Sequence, residues 1–255
     1  MLSKNQVKNI NNLHQKKFRA KEGLFIAEGP KVVEEFLHAD IKIAEIYGLE
    51  KWVERNITAL MQQKIRYVVV DEKELESISA LQTPNEVLAV CVQPEFRLGD
   101  IDRKPDLFLY LDGISDPGNM GTILRMAEWF GLTQVFCSVN CAEVFNPKVV
   151  QSTMGSLARM RVYHLGIEKI KPILGVKHLI GATLDGENIY QFAVPEKAML
   201  VIGSESHGIS DEIQKLLTHR ITIPKAEGVL TESLNAASAT SVILSEFFRK
   251  NHFSA

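Results

Sequence analysis

The chain has 255 residues, of which 45% are hydrophobic and 24% charged, enough for one large or two small globular domains with a substantial core. No apolar run reaches the length of a membrane span, and Met1 to Gln6 lack the apolar centre of a signal peptide. Three cysteines, Cys91, Cys137 and Cys141, form no even disulfide framework, so a cytoplasmic protein is expected.

A net charge of −2 argues against a generic nucleic-acid binder, but the charge is unevenly placed. Residues 1–21 hold Lys4, Lys8, Lys16, Lys17, Arg19 and Lys21 and no carboxylate, so the rest carries −8. A basic arm on an acidic body can bind phosphate locally, although a charge run by itself is more often a solvated helix face.

Residues 3–17 have a helical pattern, Leu24 to Ala27 form a short apolar strand, and Pro30 suits the first turn of a helix reaching His38. Strand-like runs follow at 41–47, 66–70 and 86–92, with helical patterns at 50–63 and 71–78 between them, which makes a small α/β domain. Pro, Gly and charge without a period at 93–105 mark a linker, giving domains at 1–95 and 106–255 joined through 96–105. Beyond it, strands are expected at 107–111, 134–138, 160–163, 178–183, 198–202 and 219–223. Helices are expected near 119–130, 147–152, 166–173, 210–217 and 233–249. Apolar strands alternating with helices imply a mostly parallel sheet covered on both faces.

Three strand-to-loop junctions in this second part carry polar residues. In the first, strand 107–111 enters an Asp/Pro/Gly turn, and the next helix bears Asn119 and Arg125 with the spacing D-P-x-N-x-G-x-x-x-R. The second, Gly203-Ser-Glu-Ser-His-Gly208, displays Glu205 between two glycines; it lacks both the Gly-Lys-Ser/Thr ending of a phosphate loop and the spacing of a dinucleotide fingerprint. In the third, a strand ends at Pro224, and Ser233, Leu234 and Asn235 precede a helix crowded with Ala and Ser. Taken singly, each also reads as a capped turn.

Together the junctions resemble the SpoU family of RNA ribose 2′-O-methyltransferases, within the SPOUT superfamily. They stand in that family's order: D-P-x-N-x-G-x-x-x-R, then G-x-E-x-x-G, then I-P followed by S-L-N. The segment from Asn146 to Ser156 resembles an intervening family segment, with Ser152 and Gly155 matching. Leu13 to Arg19 and Phe25 to Gly29 resemble the family's N-terminal substrate-binding domain, itself like ribosomal RNA-binding proteins. The likeness implies an α/β fold whose parallel sheet carries a deep trefoil knot, an exception to unknotted topology. It also implies S-adenosylmethionine as cofactor, a homodimer, and RNA as substrate, ribosomal RNA before transfer RNA. A catalytically silent RNA-binding factor on the same scaffold is the third reading, disfavoured by the joint presence of the five polar residues.

By the same likeness, Arg125 handles the acceptor ribose. We favour orientation over base action, since a guanidinium hardly loses its proton. Asn119 would support Arg125 or the ribose, Glu205 would hold Arg125 or touch the substrate, and Ser233 and Asn235 would face the transfer centre. Gly203, Ile223 and Leu234 would cradle the cofactor, with Gly208, Thr183 and Leu184 in the same pocket. Lys16, Lys17 and Arg19 would meet RNA. No metal is implied, because a sulfonium is already an activated leaving group, and Cys137, Cys141 and the scattered histidines lack zinc spacing. Departures from the family pattern are Lys225 after Ile-Pro, a longer loop at 226–232, and Ala236-Ala-Ser-Ala239.

Overall fold

The computed structural model describes residues 1–39, 41–81 and 83–253. These divide into two compact units, 1–95 with 143–159, and 96–142 with 160–255. The second unit is thus discontinuous in sequence, which a single linker at 96–105 does not anticipate.

In the first unit, Ser3 and Gln6 close a capping box at the start of α1 (Lys4–Asn12). A continuous helix over 3–17 is expected, but the chain turns at Leu13 and resumes as α2 (Lys16–Glu22). Arg19 is the cause. Its Nη1 donates to the Leu13 carbonyl at 2.8 Å, an oxygen that an unbroken helix would give to the amide of Lys17. The unit continues through β1 (Leu24–Glu28), α3 (Pro30–Leu37), β2 (Ile43–Gly48), α4 (Glu50–Gln62), β3 (Tyr67–Val69), α5 (Glu72–Ile78) and β4 (Val87–Val92). The sheet order is β1-β4-β2-β3, antiparallel except for the β2/β3 pair. Ile10, Leu13, Ile26, Leu75, Ile78 and Leu88 fill the space between this sheet and its helices.

The second unit begins with β5 (Leu107–Asp112), α6 (Pro117–Trp129) and β6 (Gln134–Cys137). The next stretch, 143–159, groups with the first unit and carries α7 (Pro147–Thr153), which packs on β1. After it come β7 (Arg161–His164), α8 (Ile167–Leu174), β8 (His178–Asn188), β9 (Ala198–Gly203), α9 (Asp211–Gln214), β10 (His219–Thr222) and α10 (Ala236–Phe253). The sheet order is β10-β8-β9-β5-β6-β7, and every neighbouring pair is parallel. This is the α/β fold with a parallel sheet that the alternation of apolar strands and helices leads one to expect. Leu109, Leu111, Leu200 and Val201 are wholly buried, as strands covered on both faces require. Strand order reverses between β5 and β9, so the loops at their carboxyl ends diverge and leave a crevice, where open α/β sheets place their ligands.

Three elements differ from the sequence expectation. β8 runs past 183 to Asn188, α9 is a single turn, and α10 begins at Ala236 because the Asn235 side chain accepts from the amides of Ala237 and Ser238. Among the described residues, no helix is long and apolar enough to cross a membrane.

Arg19, expected among the RNA contacts, is instead structural. It is 1% exposed, donates from Nε to Glu143 Oε1 at 3.0 Å, and pairs through Nη2 with Glu143 Oε2. Beside it, Phe25 and Phe145 rings lie 4.8 Å apart, so the ion pair and an aromatic contact seat the 143–159 segment on β1. Lys16 and Lys17 remain exposed. Arg19→Ala would leave a largely buried carboxylate uncompensated and should lower unfolding stability by about 3 kcal/mol. Urea unfolding checks this; a variant as stable as the parent would show the pair to be incidental.

Candidate active site

The three junctions meet where the parallel strands end. Asp116 accepts from the Asn119 amide at 2.8 Å and, with Pro117 in the first turn, fixes how α6 leaves β5. Asp112, at the end of β5, accepts from the Ser210 amide at 2.8 Å and so ties the second junction to the first.

The second junction folds back on itself. Ser204 and Gly208 exchange backbone hydrogen bonds at 3.0 and 2.8 Å, and Gly208 sits at φ +66°. A Cβ on Gly203 would overlap the backbone of Gly208 and Ile209, so the close approach itself demands glycine there. This tight loop presents Glu205.

Asn119 Nδ2 donates to Glu205 Oε1, and Asn235 Nδ2 donates to Asn119 Oδ1 at 2.8 Å. The Ala236 amide also donates to Glu205 Oε1, at 3.3 Å. One chain of hydrogen bonds therefore joins residues from all three junctions. A carboxylate only accepts, so it fixes which end of the Asn119 amide faces it and leaves the carbonyl to Asn235.

Arg125 is outside this chain. Six residues along an α-helix rotate a side chain by about 240°, so Arg125 leaves the face that Asn119 presents. It is exposed, and among the described residues it has no hydrogen-bond or ion-pair partner. Of the two expectations for each residue, contact of Glu205 and of Asn119 with Arg125 is not what this structure shows: Asn119 and Glu205 hold each other, and their roles toward the ribose and substrate remain as proposals.

Beside the network lies a cavity of about 550 Å³, bounded by residues 182–185, 202–209, 220–223 and 232–234 and by α10. Thr183, Leu184, Gly203, Glu205, Gly208, Ile223, Ser233 and Leu234 are on its wall; Asn119, Arg125 and Asn235 are not. The first part of the wall is an excursion from β8. Pairing with β10 jumps from Arg220↔Gly181 to Ile221↔Glu187, which expels residues 182–186 from the ladder. The cavity combines an apolar lining of Ile202, Ile209, Ile223 and Ile243 with the charges of Asp185, Glu205, Arg220 and Glu232. Among the described residues, the buried Thr183 hydroxyl oxygen has no hydrogen-bond partner. Sequence reading missed Asp185, Ser204, Gln214 and Arg220 on this wall. The Asp185-Gly dipeptide, a turn signal near the end of an apolar run, was the available clue to the excursion.

Behind β5, Cys141 donates from Sγ to the Leu111 carbonyl at 3.3 Å. Its thiol is brought down to about 7, first by a hydrogen bond with Cys137, against the effect of burial, while burial pushes the Cys137 thiol up. Among the described residues, no cluster of His, Cys, Asp and Glu is arranged to hold a metal ion.

A parallel sheet with its polar cluster and cavity at the carboxyl edge defines an α/β enzyme-like domain. Residues 106–245 match the SpoU rRNA Methylase family, and residues 4–89 match an MRM3-like substrate binding domain. The chain belongs to the SpoU rRNA Methylase family. It is 29% identical over 246 residues to the 23S rRNA (guanosine(2553)-2′-O)-methyltransferase RlmP of Bacillus subtilis, covering 95% of this chain and 96% of that one. A TrmH-family structure from Porphyromonas gingivalis is 36% identical, with a TM-score of 0.84 and coverage of 98% and 99%. An AdoMet-bound rRNA methyltransferase structure from Sinorhizobium meliloti is 27% identical, with a TM-score of 0.87 and coverage of 100% and 97%.

Because Gly203 leaves no room for a side chain, Gly203→Ala should force the 204–208 loop open and cost about 2 kcal/mol, as overpacking does. Denaturant unfolding reads this directly. An unchanged midpoint would mean that the loop gives way freely.

Proposed function

We propose that this protein transfers a methyl group from S-adenosylmethionine to a ribose 2′-hydroxyl of RNA, ribosomal RNA before transfer RNA. The observation that carries the reading is the Glu205–Asn119–Asn235 hydrogen-bond chain, which brings three distant segments together beside one cavity. The B. subtilis relative acts on 23S rRNA and the S. meliloti relative binds AdoMet, which favours the same substrate class and cofactor here.

The cavity fits the cofactor chemically. Its isoleucines suit a flat adenine, the unpartnered Thr183 hydroxyl can bond a polar edge, and the carboxylates of Asp185, Glu205 and Glu232 suit a cation. Gly203, Gly208, Ile223 and Leu234, with Thr183 and Leu184, would hold it. The cofactor supplies a methyl group on a sulfonium that is already a good leaving group. The residues of this chain have the harder task of positioning a weakly acidic hydroxyl. Asn119, its amide held by Glu205, and Asn235, held in turn by Asn119, present fixed dipoles where the ribose would lie, and Ser233 adds a hydroxyl on the cavity wall. Arg125, permanently charged and open to solvent, would grip the ribose or its phosphate and offset the charge that grows on the 2′-oxygen as its proton leaves to solvent.

The excursion at 182–186 and the loops at 203–208 and 223–235 would form the deep trefoil knot, a reading favoured by their convergence on one cavity. Trp129 on α6 is 80% exposed, an apolar surface that a second copy would cover in a homodimer, visible as a doubled mass in solution. With ribosomal RNA as its target, the protein would work in the cytoplasm. Its exposed Lys16 and Lys17 would hold phosphates.

The test uses S-adenosylmethionine with a labelled methyl group and total RNA from cells lacking the protein, followed by mapping of 2′-O-methyl marks. Label in 23S rRNA is expected; label confined to transfer RNA would move the target, and no label in any RNA would sink the reading. Arg125→Ala should lower transfer by at least about 100-fold while cofactor affinity stays within about twofold. Loss of cofactor binding would refute the assigned role. Changing Lys16 and Lys17 together to Ala should weaken RNA binding and flatten its salt dependence by about 0.7 to 0.9 of log K per log salt for each phosphate no longer neutralised. An unaltered slope would make these lysines a solvated helix face.

A further inference from the structure

We propose that Arg220 and Asp185 grip the amino-acid end of the cofactor, Arg220 taking its α-carboxylate and Asp185 its α-ammonium. The proposal rests on the reading of the cavity as the S-adenosylmethionine site and assigns two residues that no sequence motif marks.

Both residues owe their position to the break in the β8/β10 ladder. Arg220 is the last residue before pairing jumps, and Asp185 lies in the stretch that the jump expels. The excursion is held where Thr222 Oγ1 donates to the Leu184 carbonyl at 3.3 Å, and a Cβ on Gly186 would overlap the Arg220–Ile221 backbone. Asp185 and Arg220 therefore face each other on the cavity wall through backbone constraints that do not depend on their own side chains.

Their mutual contact is loose. Arg220 Nη1 lies 3.6 Å from Asp185 Oδ2, and the side chains are 42% and 73% exposed. The other contact of Arg220, from Nη2 to Gln214 Oε1, is 3.5 Å long. An exposed pair of this kind is held together by very little and opens readily. A zwitterion carries its ammonium and carboxylate on one carbon, so it can insert between such a pair and satisfy both partners. Arg220 then exchanges a long contact for the two parallel hydrogen bonds that guanidinium and carboxylate make.

The charges on the wall leave little choice. Arg220 is the one Arg or Lys among the described residues lining the cavity, which otherwise carries Asp185, Glu205 and Glu232. A carboxylate entering the cavity meets this fixed cation, His207 being the other side chain on the wall that can carry positive charge. Glu205 Oε1 is engaged by Asn119 and Ala236, whereas Asp185 has no partner among the described residues except Arg220. The two residues share no hydrogen bond with the Asn119 chain, so they can be altered without disturbing it.

Calorimetry on the full chain tests this with two compounds: S-adenosylhomocysteine, and 5′-methylthioadenosine, which lacks the amino-acid end. The unaltered protein should bind both, the first more tightly. Arg220→Ala should weaken S-adenosylhomocysteine about tenfold, the factor that about 1.4 kcal/mol carries, and leave 5′-methylthioadenosine within about twofold. Asp185→Asn should show the same selectivity, and Arg220→Lys should recover part of the loss. Equal weakening of both compounds would mean that the residues only shape the cavity, and no weakening would mean that the amino-acid end lies elsewhere; either overturns the proposal. Failure of the unaltered protein to bind either compound would overturn the cofactor reading itself, and the proposal with it.

Discussion

Asn119 offers one amide and two directions, and both are taken: its nitrogen donates to Glu205, and its oxygen accepts from Asn235. The three residues stand on α6, on the loop after β9 and at the start of α10, so none can turn without breaking a bond made by another. Glu205 imposes the direction, because an ionised carboxylate has no proton to give. The same bonds define the neighbouring cavity. Asn235 caps α10 with its own oxygen, and Glu205 receives the next backbone amide, so the third junction is pinned where it closes the wall.

This arrangement needs loops that converge while their strands stay parallel. Strand order reverses between β5 and β9, which opens the crevice; Asp112 then bridges it from the end of one strand to the loop beyond the other. On the far side, the shifted β8/β10 pairing expels five residues in place of a simple strand end. The sheet thus supplies both a rigid floor and, through its own irregularity, one of the walls.

Much of this was legible in the sequence because strong local signals coincide. Short unbroken apolar runs such as Leu107 to Leu111 and Met199 to Ile202 fit buried strands, and each ended in Gly, Pro or Asp chemistry that announced a turn. The residues placed at those turns do gather at one edge of the sheet. What stayed hidden depends on partners far away. Arg19 looked like one of six equivalent cations, and its burial follows from Glu143, 124 residues on. The excursion at 182–186 reflects how β8 pairs with β10, which no periodicity within β8 encodes. The family likeness implied that Asn119 supports Arg125 or the ribose, whereas helical rotation turns Arg125 away from the face that Asn119 presents.

The attachment of 143–159 to the first unit has an evolutionary and practical consequence. The SpoU match runs through these residues from 106 to 245, yet their packing partners include β1, Phe25 and Arg19. No single cut in the chain separates the two units cleanly. A fragment beginning at the linker would carry α7 with Val149 and Val150 stripped of their cover, and a fragment ending there would lose the helix that shields β1. The portion that matches an MRM3-like substrate binding domain is therefore not a cassette that a single junction could exchange.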